Sequence, residues 1–135
     1  MKERMENAYT ETMFLLKKYN ITANKSLGQN FLIDDDVINK TVASAEITNE
    51  DLVIEIGPGL GTLTSKLLEK AKKVIAIELD KKMIKILQER FSLYSNFELI
   101  NEDVLKVNLK ELIKKEKEEN KIKDVKIVAN LPYYI

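Results

Sequence analysis

The stretch 51-DLVIEIGPGLGTLTSKLL-68 decides the fold. Its opening, 51-DLVIEI-56, is a short apolar run rich in β-branched residues, the composition of a strand buried in a sheet. Gly57-Pro58-Gly59-Leu60-Gly61 follows, and after it Leu60, Leu63, Leu67 and Ala71 recur at helical spacing. Strand, glycine turn and helix in that order open a βα unit. The chain has four glycines and two prolines, and this turn takes three of the former and one of the latter. The other proline, Pro132, lies in the terminal motif 130-NLPYYI-135. Both places that use special backbone chemistry densely are therefore candidate sites rather than scattered turns.

Outward from the turn the alternation continues. The segment 73-KVIAIE-78 repeats the strand signal, and Met83, Ile84, Leu87 and Phe91 give the next helix an apolar face. A third strand, 97-FELIN-101, leads into one or two short helical turns within 102-EDVLKVNLKELI-113, and a fourth, 125-VKIVAN-130, runs into the terminal motif. Upstream, Ala8, Thr12, Leu15, Leu16 and Tyr19 define a leading helix from about Met5 to Tyr19, with Asn20 as its stop. The segment 25-KSLGQNFLID-34 has no clean period and reads as a loop packing through Leu27, Phe31 and Leu32. Asp34 to Asp36 then precede Val37, Ile38, Val42 and Ala45, the pattern of a helix with acidic residues near its positive end. The charge run 114-KKEKEE-119 reads as a solvated helix end or surface loop. The fold class is α/β: a parallel sheet with helices on both faces.

Composition narrows the chemistry. A chain of 135 residues, 44% hydrophobic and 33% charged, is long enough for one domain with a real core. It contains no cysteine and no histidine, which excludes disulfides, thiolate nucleophiles, ordinary zinc sites and Ser-His-Asp triads. The 22 basic and 22 acidic side chains cancel, so no global field draws the chain to nucleic acid, a local basic face is left open, and net charge argues neither way. There is no run of 18 apolar residues and no apolar stretch near Met1, so a cytoplasmic location without membrane contact is expected.

In an open α/β sheet ligands bind beyond the carboxyl ends of the strands. Each expected tip carries a suitable group. After the first strand, Gly57, Gly59 and Gly61 let backbone approach a ligand closely. Their G-x-G-x-G spacing has Thr62 where a dinucleotide fingerprint wants its last glycine, which disfavours pyrophosphate and an NAD-linked oxidoreductase. Glu78, 21 residues after Gly57, closes the second strand, from where a carboxylate can accept hydrogen bonds from both hydroxyls of a ribose. Asp80 is its rival for that role. Asp103, past the third strand, has two readings: partner of an adenine amino group, or N-cap of the segment after it. Asn130 ends the fourth strand.

Together these features resemble the class I S-adenosylmethionine-dependent methyltransferases. The motifs 25-KSLGQNFLID-34, 52-LVIEIGPGLGTLT-64, 74-VIAIELD-80 and 129-ANLPYYI-135, in that order, are similar to the ribosomal RNA adenine dimethyltransferase family, with the KsgA-type small-subunit branch the best match. The large-subunit, erythromycin-resistance branch typically carries serine and lysine in the glycine loop, and this chain does not. The resemblance implies S-adenosyl-L-methionine as cofactor, no metal, and small-subunit ribosomal RNA or a 30S precursor as partner. Two adjacent adenosines would each be dimethylated at N6. It places Gln29, Asn30, Phe31, Leu32 and Gly57 near the methionine end of the cofactor, Glu78 on the ribose, Asp103 at the adenine edge and Asn130 beside the transferring methyl.

In the NLPYY motif, the Asn130 side-chain oxygen and the Leu131 carbonyl can each accept one amino hydrogen of adenine, freeing the nitrogen lone pair for attack. Pro132 stiffens the turn, and Tyr133 can stack on the extruded base. Tyr134 reads better as a core aromatic. The family's methyltransferase domain continues with further strands and a helical RNA-gripping domain. The expectation is therefore an N-terminal portion, about four of seven strands, with residues 1–46 as a helical and loop lead-in. A full-length monomer is expected, and a fragment that holds cofactor, methylates poorly and associates through its open sheet edge. The rival from another class is a ribosome-assembly factor that binds RNA without turnover.

Overall fold

The computed structural model describes residues 7–21 and 34–129. Along them run α1 (Ala8–Lys18), α2 (Asp35–Ser44), β1 (Leu52–Ile56), α3 (Thr62–Lys70), β2 (Lys73–Glu78), α4 (Lys81–Arg90), β3 (Phe97–Asn101), a short 3-10 turn (Val104–Lys106), α5 (Leu109–Asn120) and β4 (Val125–Ala129). The four strands form one parallel sheet in the order β3-β2-β1-β4. Leu52 of β1 sits level with Lys73 of β2 on one side and Val125 of β4 on the other. The chain thus winds outward from β1 to β3 and then returns to the opposite side of β1. The reversal puts a topological switch point at the carboxyl ends of β1 and β4, where α/β sheets hold their ligands.

Successive strand residues point to opposite faces, and both faces are apolar. Val53 and Val74 look toward α1 to α4, in a core built with Ile38, Val42, Leu63, Leu67, Met83, Leu87 and Phe91. Leu52, Ile54, Ile75 and Ile77 look the other way, packed with Ile122 and with Leu109, Leu112 and Ile113 of α5. Leu67 and Leu87 are fully buried, and each contributes about 2 kcal/mol through that burial.

The aspartate cluster divides its labour. Asp34 caps its own helix, accepting from the Asp36 and Val37 amides. Asp35 instead reaches across to α1, where both carboxylate oxygens accept from the Ala8 amide, at 3.1 and 3.3 Å. A residue expected only to favour α2 electrostatically therefore also ties the two lead-in helices together.

The charge run differs from the sequence expectation. Residues 114–119 belong to α5, longer than the one or two turns anticipated, and Glu116 within them is only 4% exposed. It pairs with Lys73 at the start of β2 and accepts from Asn120 Nδ2 at 2.9 Å, while Lys73 also reaches Glu98 on β3 at 3.1 Å. Leu109, Leu112, Ile113 and Glu116 share one helical stripe, so Glu116 is buried by its spacing despite its charged neighbours.

Candidate functional site

The glycine turn continues from β1. The Gly57 amide donates to the Ile77 carbonyl at 3.0 Å, extending the parallel ladder, and the Gly61 amide donates back to the Pro58 carbonyl at 3.0 Å. Gly61 has φ +89° and caps α3 from the left-handed region. A Cβ there would lie 2.6 Å from Phe91 and 3.0 Å from Leu87, so α4 forms the floor on which the turn rests. Arg90 completes that floor. Its guanidinium donates to the Leu60 carbonyl and lies 3.4 Å from the Glu11 carboxylate of α1, joining turn, α4 and lead-in helix.

Glu78 closes β2, and its carboxylate folds back over the turn. The Gly59 amide donates to Oε1 at 3.1 Å and the Asp80 amide donates to Oε2 at 2.9 Å. Burial raises the pKa of Glu78 above the usual glutamate value and the Asp80 charge adds to the rise, while the Asp80, Gly59 and Leu79 amides oppose it. A carboxylate offers about four acceptor sites, so one backbone donor per oxygen leaves capacity for a pair of hydroxyls. Asp80, the rival for this role, caps α4 by accepting from the Lys82 amide at 2.8 Å.

Asp103 stands just beyond β3 as the cap of the short helical turn, accepting from the Leu105 amide at 2.9 Å. It is half-buried, so the structural reading holds and the second carboxylate oxygen keeps its acceptor capacity. The structure thus brings Gly57, Gly59, Gly61, Glu78 and Asp103 to one end of the sheet. Gln29, Asn30, Phe31, Leu32, Asn130, Leu131, Pro132 and Tyr133 lie outside the described residues.

Two groups at this end were not singled out from the sequence. Glu55, 0% exposed, projects from β1 beneath α3, where Thr64 Oγ1 donates to Oε1 and Oε2 has no partner among the described residues. Burial pushes its pKa up to about 7, with the Glu78 charge adding to the rise and the Thr64 hydroxyl opposing it. Its signal was present: a carboxylate within 51-DLVIEI-56 has no solvent to face. The other is Asn101, whose Nδ2 lies 2.9 Å from the Glu78 carbonyl and 3.1 Å from that of Leu79. Nothing in its local sequence marks it.

Among the described residues no group of three or more carboxylates could hold a metal ion, and no helix is long and apolar enough to cross a membrane. What the arrangement can do is hold a hydroxyl-bearing ligand by a carboxylate, at the end of a glycine turn whose backbone such a ligand can approach closely.

Comparison with known proteins agrees with this geometry. Residues 20–135 match the family model described as ribosomal RNA adenine dimethylase. A "Ribosomal RNA small subunit methyltransferase A" of Clostridium botulinum (strain Okra / Type B1) is 54% identical, over 92% of this chain and 43% of its own length. One of the same name from Lachnoclostridium phytofermentans is 51% identical, over 93% and 42%. Among solved structures, a dimethyladenosine transferase from Plasmodium falciparum is 39% identical with a TM-score of 0.52, over 55% of this chain and 28% of that one. The 23S rRNA methyltransferase ErmE is 28% identical with a TM-score of 0.56, over 74% and 48%. The chain spans less than half the length of the curated relatives it matches. By its motifs, its sheet and these matches, the chain belongs to the ribosomal RNA adenine dimethylase family.

Proposed function

We propose that this chain forms the cofactor-holding part of an enzyme that uses S-adenosyl-L-methionine to dimethylate N6 of two adjacent adenosines in small-subunit ribosomal RNA, in the cytoplasm where subunits assemble. The observation that carries the reading is the Glu78 carboxylate at the tip of β2, clamped by the Gly59 amide of the glycine turn and with acceptor capacity left over. The small-subunit target is favoured over the large-subunit one by relatives at 54 and 51% identity bearing the small-subunit name, against 28% for the 23S enzyme.

In this reading Glu78 accepts from the ribose hydroxyls, Asp103 accepts from the adenine amino group of the cofactor, and Gly57, Gly59 and Gly61 keep side chains out of the cofactor's path. Gln29, Asn30, Phe31 and Leu32 line the methionine end. The cofactor supplies a methyl group on a positively charged sulfonium. Asn130, through its side-chain oxygen, and Leu131, through its carbonyl, take the two amino hydrogens of the target adenine. That would withdraw the nitrogen lone pair from ring conjugation and aim it at the methyl carbon, the N–C bond forming as the S–C bond breaks, with S-adenosylhomocysteine leaving and the methylated amine then losing a proton to water. Pro132 holds the turn that presents both oxygens, and Tyr133 stacks on the flipped base. Positioning and electrostatics suffice, which suits a chain without histidine or cysteine.

Ile127 of β4 is 54% exposed, and an open groove of about 490 Å³ runs between α2 and β4. We propose that this edge pairs with a second copy when the chain stands alone, and that methylation by the chain alone is weak. Calorimetric titration with S-adenosylmethionine, beside a methyl-transfer assay on unmethylated small subunits, tests both parts. Saturable binding that disappears in Glu78→Ala is the expected result. Absence of binding overturns the cofactor assignment, and robust dimethylation by this chain overturns the assignment of weak activity.

A further inference from the structure

The Glu78 carboxylate takes its two close hydrogen bonds from the Gly59 and Asp80 amides, and one of these donors needs holding itself. The amide that serves Oε2 is that of Asp80, and it shares a peptide plane with the Leu79 carbonyl. The Leu79 side chain is 66% exposed, so packing does not fix that plane. Asn101 does. It sits level with Glu78 in the parallel register, at the carboxyl end of β3, and its Nδ2 spans the exit of β2, 2.9 Å from the Glu78 carbonyl and 3.1 Å from the Leu79 carbonyl. Both partners are acceptors, so the nitrogen rather than the oxygen of the amide faces them. The Glu78 carbonyl has a second donor in the Glu102 amide at 3.2 Å; no second hydrogen bond to the Leu79 carbonyl is seen among the described residues.

The geometry points to Asn101 as a positioning residue for the ribose site, acting on Glu78 through one intervening peptide unit; this rests on the assignment of Glu78 to the ribose. The relay runs from Asn101 Nδ2–H to the Leu79 carbonyl, through the planar peptide, and from the Asp80 N–H to Glu78 Oε2. Gripping the carbonyl restricts rotation of the plane and so fixes the direction of the N–H. Donation to the carbonyl also polarises the peptide and strengthens that N–H as a donor. With Gly59 holding Oε1 and the relay holding Oε2, the carboxylate keeps one orientation, and its remaining acceptor sites stay aimed where two vicinal hydroxyls can meet them. Asn101 is exposed and contributes no core packing, so its loss leaves the fold in place.

A thermodynamic cycle between side chain and ligand tests this. Dissociation constants of S-adenosylhomocysteine and its 2′-deoxy analogue are measured by calorimetry for the unmodified chain, Asn101→Ala and Glu78→Ala, with thermal melting as a folding control. The unmodified chain prefers the ribose form, and Glu78→Ala abolishes that preference. Asn101→Ala is expected to weaken the ribose form about five-fold, the scale of one hydrogen bond, and the deoxy form less than two-fold, with melting unchanged. Asn101→Asp, which sets a carboxylate against two carbonyls, should exceed Ala in the same direction. If Asn101→Ala keeps the full preference while Glu78→Ala loses it, the relay is wrong and the ribose assignment stands. If the unmodified chain shows no preference, or Glu78→Ala keeps it, the ribose assignment itself falls and the relay with it.

Discussion

The tips of β1 and β2 and the strand β4 belong to one sheet yet are built to different standards. At β1 and β2 nearly every residue is buried, and the glycine turn is tied from three sides: by Glu78 through Gly59, by Arg90 through Leu60, and by Phe91 and Leu87 beneath Gly61. Along β4 only Val128 is buried, Ile127 is exposed, and among the described residues its hydrogen-bonded pairing runs to β1 alone. A site wall braced by α4 and by the tip of β2 is set by contacts within these residues. A wall that is also a sheet edge takes its shape from whatever pairs with it. Cofactor binding and methyl transfer should therefore respond differently to damage.

The heaviest blow to the braced side is Gly61→Ala. It places a Cβ against Phe91 at a left-handed position, and the expected loss is about 3 kcal/mol by denaturant titration, together with loss of cofactor binding. The double variant with Phe91→Leu should regain part of the affinity; if the single variant melts and binds normally, α4 is not the floor of the turn.

Glu55→Gln acts on the same side with the opposite sign. Because burial raises the folded carboxyl to about 7, well above its ordinary range, the folded state holds its proton while the unfolded state loses it. The site is thus least costly below the unfolded pKa, and stability falls as pH rises toward 7. The amide should be the more stable form at pH 8, by up to about 3 kcal/mol, with the advantage vanishing near pH 4. Parallel melting curves of the two proteins across that range would contradict the buried, protonated state.

Arg90→Met should cost about 2 kcal/mol, by stranding the Leu60 carbonyl and the Glu11 carboxylate, and Glu11→Gln alone should cost less. The comparison is sharpened if cofactor affinity falls with Arg90→Met but not with Glu11→Gln. The smallest change in stability is expected at β4, where Ile127→Lys should alter unfolding by less than about 0.5 kcal/mol. It should nonetheless suppress self-association measured by analytical ultracentrifugation, because a lysine blunts an open edge. Unchanged association would move the contact away from β4.

Much of this was legible in the chain itself. The run 51-DLVIEI-56, the glycine turn and the apolar spacing after it dictate strand, turn and helix through local sterics and periodicity, and the second and third strands follow from the same signals. Glu78 could be preferred over Asp80 because a strand tip is held more rigidly than a residue entering a helix, and in the structure Asp80 caps α4. Glu116 and Asp35 were harder, since a charged side chain reads as solvated until the element it packs against is known.

The sequence determined by itself the α/β class, the glycine turn and the placement of Glu78 and Asp103 at the ends of the second and third strands, because backbone freedom and side-chain alternation act over a few residues. Tertiary structure alone decided that Phe91 and Arg90 hold the turn from beneath and that Asn101 steadies the peptide beside Glu78. These contacts join residues 22 to 30 positions apart, and only the parallel register of β2 with β3 and the packing of α4 under the turn bring them within hydrogen-bond and van der Waals reach.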